Sequence, residues 1–277
     1  MIPSFPAKTI DAGGYSTAYI DVGAGEPVLL LHSVDPGCSG LLEYRHNIGP
    51  LSEKFRVIVP DLVGFGKTGH FERQPASVSQ AYADHILAFM DALGIERAHM
   101  VGNSRGGLIA IAIAMQAPHK VSRIVLLGNA GGGPSQEYMT VQAARYGNFK
   151  PNPEALRAFL SGSFYSLDRD VPPDVFQVYL QNSIPQYEAY EQIGGLTSDV
   201  PDFRQALSTI GHPILYMFGK EDERWPPLPE ALEIFTATPN SRFYVISKCG
   251  HHPQTEYFSD FNILAAGFLQ GALTVDA

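Results

Sequence analysis

Gly102-Asn103-Ser104-Arg105-Gly106-Gly107 follows the apolar run Ala98-His99-Met100-Val101 and precedes Leu108–Met115, a helix-like stretch. A G-x-S-x-G motif between a strand and a helix is a nucleophile elbow. A serine hydroxyl is a weak nucleophile and must be carried clear of its strand to meet a base and a substrate. A sharp turn does this, and small residues at positions 102 and 106 let strand and helix pass without side-chain collision. The helix then aims its N-terminus at the site and favours negative charge there. The motif implies acyl transfer through Ser104, with the backbone N–H of Arg105 as one oxyanion donor.

Such an elbow requires an acid and then a base further along the chain, each after a strand. Pro213–Phe218 reads as a buried strand, and the loop Gly219-Lys220-Glu221-Asp222-Glu223 follows it with three candidate acids. Ser241–Ile246 reads as the next strand, followed by Ser247-Lys248-Cys249-Gly250-His251-His252. His251, directly after Gly250, is the candidate base, and His252 a neighbour that lines the pocket. The base would take the Ser104 proton and return it to the leaving group. A second oxyanion donor is expected from the loop His32-Ser33-Val34-Asp35-Pro36-Gly37, after the apolar strand Pro27–Leu31. The N–H of Val34 is the candidate there, with Ser33 as the alternative.

Working outward, Thr9–Val22 reads as a hairpin turning at Gly13-Gly14. Strands are expected at Val28–Leu31, Val57–Val59, His99–Val101 and Ile124–Leu127, with helical patterns between them. Tyr82, Ile86, Phe89, Met90 and Leu93 recur at helical spacing across Val78–Leu93. This alternation predicts an α/β fold, a mostly parallel sheet with helices on both faces. It breaks after Asn129–Pro134. Residues 135–206 carry helical and turn patterns near Gln136–Tyr146, Pro153–Phe164 and Pro172–Gln181, punctuated by Pro151, Pro172, Pro173 and Pro185. The expected organisation is a core over 1–134 and 207–277 with a helical cap at 135–206. Phe5, Tyr138, Tyr146, Phe164, Tyr165, Phe176, Tyr179 and Trp225 are candidate pocket aromatics, although buried aromatics usually serve the core.

The 277 residues are 45% hydrophobic and 17% charged, the composition of a globular chain. A net charge of −9 without a basic block argues against nucleic acid or an anionic membrane surface as partner. The partner expected is a small molecule, with homo-oligomerisation left open. Cys38 and Cys249 lack metal-ligand spacing, so no metal site is expected, and Cys249 reads as a packed thiol near His251. No leader-like N-terminal pattern or membrane-length apolar run is present, which reads as a cytoplasmic protein.

These residues support a family resemblance. The chain resembles α/β-hydrolases, and within them the meta-cleavage product hydrolases, which cut a carbon–carbon bond in ring-fission products of aromatic degradation. The matching segments are Gly102–Gly107, Gly131-Gly132-Gly133-Pro134-Ser135, Pro36-Gly37 with Tyr44–Pro50, and most specifically Ser247-Lys248-Cys249-Gly250-His251. The resemblance implies Ser104, Asp222 and His251 as a triad, with Asp222 at the last position of G-x-x-D, and Asn103 as a polar pocket group. It implies a 2-hydroxy-6-oxo-hexa-2,4-dienoate substrate and no metal or organic cofactor. Three departures stand out. The usual His-Gly-Gly is His32-Ser33-Val34; an aromatic is replaced by His252; and Phe176–Asn182 lacks the cap arginine that holds the substrate carboxylate. A bidentate arginine suits a carboxylate, so its absence implies a different substrate or a relocated cation, for which Arg105 is the first candidate beside an equal reading as a surface or helix-packing residue, with His46 and Arg145 behind it. The competing readings are a carboxylesterase or lactonase on the same scaffold and, more remotely, a non-catalytic ligand receptor. A dehalogenase would need a carboxylate where Ser104 stands.

Overall fold

Apolar runs become strands here because both of their faces are covered. The computed structural model describes residues 2–192, 199–224 and 226–273. Its strands are β1 (Ala7–Ala12), β2 (Tyr15–Val22), β3 (Pro27–Leu31), β4 (Arg56–Pro60), β5 (Ala98–Asn103), β6 (Val121–Leu127), β7 (Ile214–Gly219) and β8 (Ser241–Ile246). They form an eight-stranded sheet in the order β1-β2-β4-β3-β5-β6-β7-β8. The β1–β2 hairpin and the β2–β4 pair are antiparallel, and every other pairing is parallel.

Side chains on the central strands alternate between two cores. Met100, Ile124, Leu126, Ile214 and Tyr216 pack with the helices Val78–Ala92 and Arg105–Gln116. Val101, Val125, Leu127, Leu215 and Met217 pack on the other face with the helix Phe258–Leu269. Each large apolar side chain so buried contributes roughly 1.5–3 kcal/mol. This double burial keeps the parallel strands apolar throughout and holds their C-terminal ends, where the loops of interest emerge, in fixed register.

The helices Gln136–Gly147, Pro153–Ser161, Leu167–Asp170 and Pro173–Gln192 lie between β6 and β7 in the chain. The last of these runs on through Pro185, beyond the end expected from the sequence. Docking explains the override. Val175, Phe176, Tyr179, Ser183 and Gln186 are buried along it. Asn182 Nδ2 donates to the Gly37 carbonyl (3.1 Å), and Gly37 N–H donates to Gln186 Oε1 (2.8 Å). The helix is thus clamped onto the loop after β3 on both sides of its proline. Among the described residues no helix is long and apolar enough to cross a membrane.

Candidate active site

Ser104 follows β5 with φ 52° and ψ −115°, a conformation that costs a non-glycine residue of order 1–3 kcal/mol. Its N–H donates to the Leu127 carbonyl (2.9 Å), and its carbonyl accepts from Gly107 N–H (3.0 Å). The flanking glycines are obligatory on steric grounds. A Cβ on Gly106 would sit 2.1 Å from the Leu31 carbonyl oxygen, and one on Gly102 would sit 2.3 Å from the Gly106 backbone. Neither neighbour is a side chain that could swing aside.

Asp222 and His251 come together from the ends of β7 and β8. His251 Nδ1–H donates to Asp222 Oδ2 at 2.8 Å, and both side chains are only 3% exposed. Asp222 Oδ1 accepts the Arg224 N–H (2.9 Å). The backbone of His251 is pinned twice: its N–H donates to the Ser163 carbonyl (2.7 Å), and its carbonyl accepts from Asn103 Nδ2 (2.8 Å). The buried Glu256 carboxylate accepts from Gly250 N–H (2.9 and 3.0 Å) and His252 N–H (3.2 Å), and burial raises its pKa to about 6. Gly128 (φ 57°) lies against the imidazole; a Cβ there would be 2.8 Å from Nδ1. Glu221 and Glu223 are exposed, and Glu221 accepts the Cys249 N–H (3.2 Å). With Nδ1 occupied, His251 has Nε2 left to act as a base. His251 and Ser104 both line a cavity of about 510 Å³.

Val34 and Arg105 line the same cavity. Arg105 opens its helix, where the first N–H groups have no intrahelical acceptor. Ser33 N–H is shared by both oxygens of the buried Glu43 (3.0 Å each), and Ser33 Oγ donates to Glu43 Oε2 (2.6 Å). Burial raises the Glu43 pKa to about 8. Glu43 thus fixes the residue before Val34. Such a set, a strained serine, a carboxylate-oriented imidazole and two backbone donors, can perform acyl transfer.

The family of the alpha/beta hydrolase fold matches residues 26–256. The chain belongs to the α/β-hydrolase family. Over 263 residues it is 34% identical to a 2-hydroxy-6-oxononadienedioate/2-hydroxy-6-oxononatrienedioate hydrolase of Paraburkholderia phymatum, covering 91% of this chain and 90% of the relative. It is 32% identical to a 2-hydroxy-6-oxo-2,4-heptadienoate hydrolase of Pseudomonas putida, covering 95% of each. A solved meta-cleavage product hydrolase from Pseudomonas fluorescens IP01 superposes with a TM-score of 0.85 at 33% identity, covering 96% of this chain and 98% of that one. The resemblance read from Gly102–Gly107 and Ser247–His251 therefore extends along nearly the whole chain.

Within this α/β-hydrolase, four residues nominated for the substrate hold protein partners, and of them Arg105 also lines the cavity. Ser33 spends its hydroxyl on Glu43. Asn103 is fully buried beneath the elbow, where its amide donates to the Leu127 and His251 carbonyls, so it positions the histidine backbone instead of facing a ligand. His252 stacks on Phe164 with ring centroids 4.4 Å apart, and its Nε2–H donates to Asp35 Oδ2 (3.2 Å). Arg105 reaches the cavity wall, but its guanidinium is anchored to Ser79 Oγ and the Asp199 carbonyl. Of the weaker candidates, His46 stacks on Phe258 and Arg145 lies over the Phe159 ring. Tyr138 and Tyr146 line the cavity, while Trp225 lies outside the described residues.

A cation that sequence reasoning missed is Arg224. It is 6% exposed and lines the cavity with Ser104 and His251. Its guanidinium donates to Ser163 Oγ, the Gly162 carbonyl (3.3 Å), Gln142 Oε1 (3.4 Å) and Asp35 Oδ1 (3.4 Å). Burial works most strongly against its charge, but Asp35, Tyr146, Tyr138 and Asp222 together outweigh it and raise its pKa, so it stays protonated. Burial likewise opposes the Asp35 charge, but Arg224 and His252 hold that carboxyl below its ordinary range. Burial holds His252 low, so its ring stays neutral near pH 7. The available signal was position: Arg224 stands two residues after Asp222, on a loop already assigned to the site.

Proposed function

We propose that this α/β-hydrolase cleaves the C5–C6 bond of a 2-hydroxy-6-oxo-hexa-2,4-dienoate, using Ser104, His251 and Asp222. The observation that carries this reading is Arg224, a buried cation in the wall of the cavity that also exposes Ser104 and His251. A dienoate substrate is a carboxylate. That carboxylate can take over part of the guanidinium hydrogen bonding that Asp35 now accepts from Arg224 at 3.4 Å. The names of the full-length relatives point the same way.

The chemistry then runs as follows. The dienol ketonises, making C5 able to leave with its electron pair. His251 Nε2 removes the Ser104 proton as Oγ attacks C6. The N–H groups of Val34 and Arg105 stabilise the resulting oxyanion. Asp222 keeps the imidazole in the Nδ1–H tautomer and stabilises its charged form. C5–C6 breaks, His251 returns the proton to the departing fragment, and water releases the acyl group as a carboxylic acid. One water is consumed, and no redox partner is required.

Loss of the visible absorbance of a dienoate on incubation with the protein tests this. Turnover is expected in the wild type and not in Ser104→Ala. Arg224→Met is expected to raise KM at least about tenfold, the scale of a lost charge-assisted hydrogen bond. No dienoate turnover alongside brisk hydrolysis of neutral esters would reject the reading. It would favour the esterase or lactonase alternative, for which the specific observation is the Asp35 carboxylate already paired with Arg224.

A further inference from the structure

The loop that carries Val34 is gripped by a helix distant in the chain. Gly37, three residues after Val34, lies against the helix Pro173–Gln192 in a left-handed conformation (φ 76°), and a Cβ on it would sit 1.9 Å from the Tyr179 carbonyl oxygen. Side chains of that helix take both of its backbone polar groups. Its N–H donates to Gln186 Oε1 (2.8 Å), and its carbonyl accepts from Asn182 Nδ2 (3.1 Å). Gln186 is buried and lines the cavity together with Tyr190 and Tyr82. The other end of its amide is held as well, because Gln186 bonds the Tyr190 hydroxyl, which Tyr82 also bonds. An amide engaged through both its oxygen and its nitrogen cannot turn without losing one of the two bonds.

A short, stiff path leads from Gly37 to the Val34 peptide. Cys38 N–H donates to the Asp35 carbonyl (3.0 Å), closing a turn with Pro36 second and the left-handed Gly37 third, the residues of a type II turn. The Pro36 ring locks one dihedral of that turn. Cys38 Sγ then donates back to the Ser33 carbonyl (3.0 Å). This carbonyl and the Val34 N–H belong to one planar peptide unit, so what orients the first aims the second. His32 Nδ1–H donates to the same carbonyl (2.6 Å), its Nε2 being occupied by the Leu62 N–H (2.9 Å).

We propose that Gln186 is a positioning residue of the oxyanion hole: through Gly37 and Cys38 it sets the direction of the Val34 N–H, so the helix Pro173–Gln192 completes the acyl-transfer site. The inference rests on attack by Ser104 with Val34 as oxyanion donor. It does not depend on whether the bond cut is carbon–carbon or ester. A direct contact of Gln186 with the substrate would show in KM, whereas misdirection of the Val34 N–H shows in kcat.

The test compares wild type, Gln186→Met and Gln186→Glu. Methionine matches glutamine in length but offers Gly37 only a weak acceptor, while glutamate keeps an oxygen there whether ionised or protonated. Turnover of p-nitrophenyl butyrate and of a 2-hydroxy-6-oxo-hexa-2,4-dienoate is measured beside the rate at which a fluorophosphonate labels Ser104. All rates are expressed per serine labelled at completion, so misfolded protein does not count. Loss of a whole oxyanion donor costs about 10²–10³ in kcat, so a misaimed one in Gln186→Met is expected to cost about tenfold or more in kcat and in labelling rate, with KM within about twofold. Gln186→Glu is expected to stay within about threefold of wild type on each readout. Wild-type kcat in Gln186→Met would overturn the proposal. So would a loss confined to KM, an equal loss in both variants, or a wild-type Ser104 that neither turns over substrate nor labels. If esters follow the expected pattern while dienoates are left intact, the carbon–carbon reading fails and the positioning role stands. If Gln186→Met cleaves dienoates at wild-type kcat, the positioning role fails and the carbon–carbon reading stands.

Discussion

Gly128→Ala is a small perturbation aimed at one atom. Gly128 holds φ 57°, and an alanine Cβ would meet His251 Nδ1 at 2.8 Å and the His251 carbonyl oxygen at 2.7 Å. Ordinary contact begins near 3.4 Å, so the ring and its backbone must retreat by about 0.6 Å. Nδ1 is the atom that bonds Asp222 at 2.8 Å, and the same carbonyl accepts from Asn103 at 2.8 Å. The added methyl therefore pushes on both restraints that hold the proposed base. A misplacement of 1 Å in a catalytic group costs about 100-fold, so a shift of about 0.6 Å is expected to lower kcat on the order of tenfold or more. KM should change little, because the substrate-facing wall is untouched. The left-handed conformation adds roughly 1–2 kcal/mol of destabilisation, or a few degrees in melting temperature for a chain of this size. Steady-state ester or dienoate kinetics beside a thermal melt read both quantities. A Gly128→Ala enzyme with wild-type kcat would refute the reasoning, because it would mean that the His251 position is not limiting. A loss of kcat accompanied by gross unfolding would place the effect in the fold instead.

Two further substitutions separate charge from shape. Glu43 keeps its proton up to about pH 8 in the folded protein and loses it near 4.5 when unfolded, so the unfolded state binds fewer protons between these limits. Stability contributed by the neutral group is complete below 4.5 and lost as pH rises to 8. Glu43→Gln removes that slope, and its stability relative to wild type should climb by up to about 1.4 kcal/mol per pH unit across the window; urea titrations from pH 5 to 9 measure it, and a flat difference would mean that Glu43 is ionised in the fold. Asp222→Asn should leave KM near wild type and cut kcat by up to about 10⁴-fold, since the amide favours the wrong imidazole tautomer; a loss under tenfold would point to another acid.

Much of the fold was legible because its strands are buried on both faces and its elbow is sterically over-determined. Val28–Leu31 and Ile124–Leu127 read as strands from apolar continuity alone, and Gly102 and Gly106 are glycines because a Cβ at either would strike backbone. Ser104 and His251 could be nominated because each follows a strand in a fixed order, whereas that order left three acids open and only the family resemblance singled out Asp222. What stayed hidden depends on contacts far apart in the chain. Pro185 reads as a helix end until the docking of Asn182 and Gln186 onto Gly37 is known. Nothing in the sequence marks Glu43 or Asp35, yet both are buried, the first behind Ser33 and the second between Arg224 and His252. Asn103 sits in the motif itself, but strand alternation and the approach of His251 decide which way its amide is spent.

Contacts between the segment inserted after β6 and the loops after β7 and β8 explain why Arg224 was not among the cations nominated from the sequence. Gly162 and Ser163 lie just past the helix Pro153–Ser161, and they contact two groups from the loops after β7 and β8. The Ser163 carbonyl accepts the His251 N–H, while Ser163 Oγ and the Gly162 carbonyl accept from Arg224. Arg224 in turn is two residues from Asp222, whose Oδ1 accepts its N–H. His251 and Arg224, and through Arg224 also Asp222, are therefore tied to one turn of the inserted segment. A cap helix need not carry an arginine if the core can lift one into the cavity and the cap supplies only its acceptors. The arrangement also couples the inserted segment to the histidine: a shift of residues 162–163 would displace acceptors of both the His251 N–H and the Arg224 guanidinium.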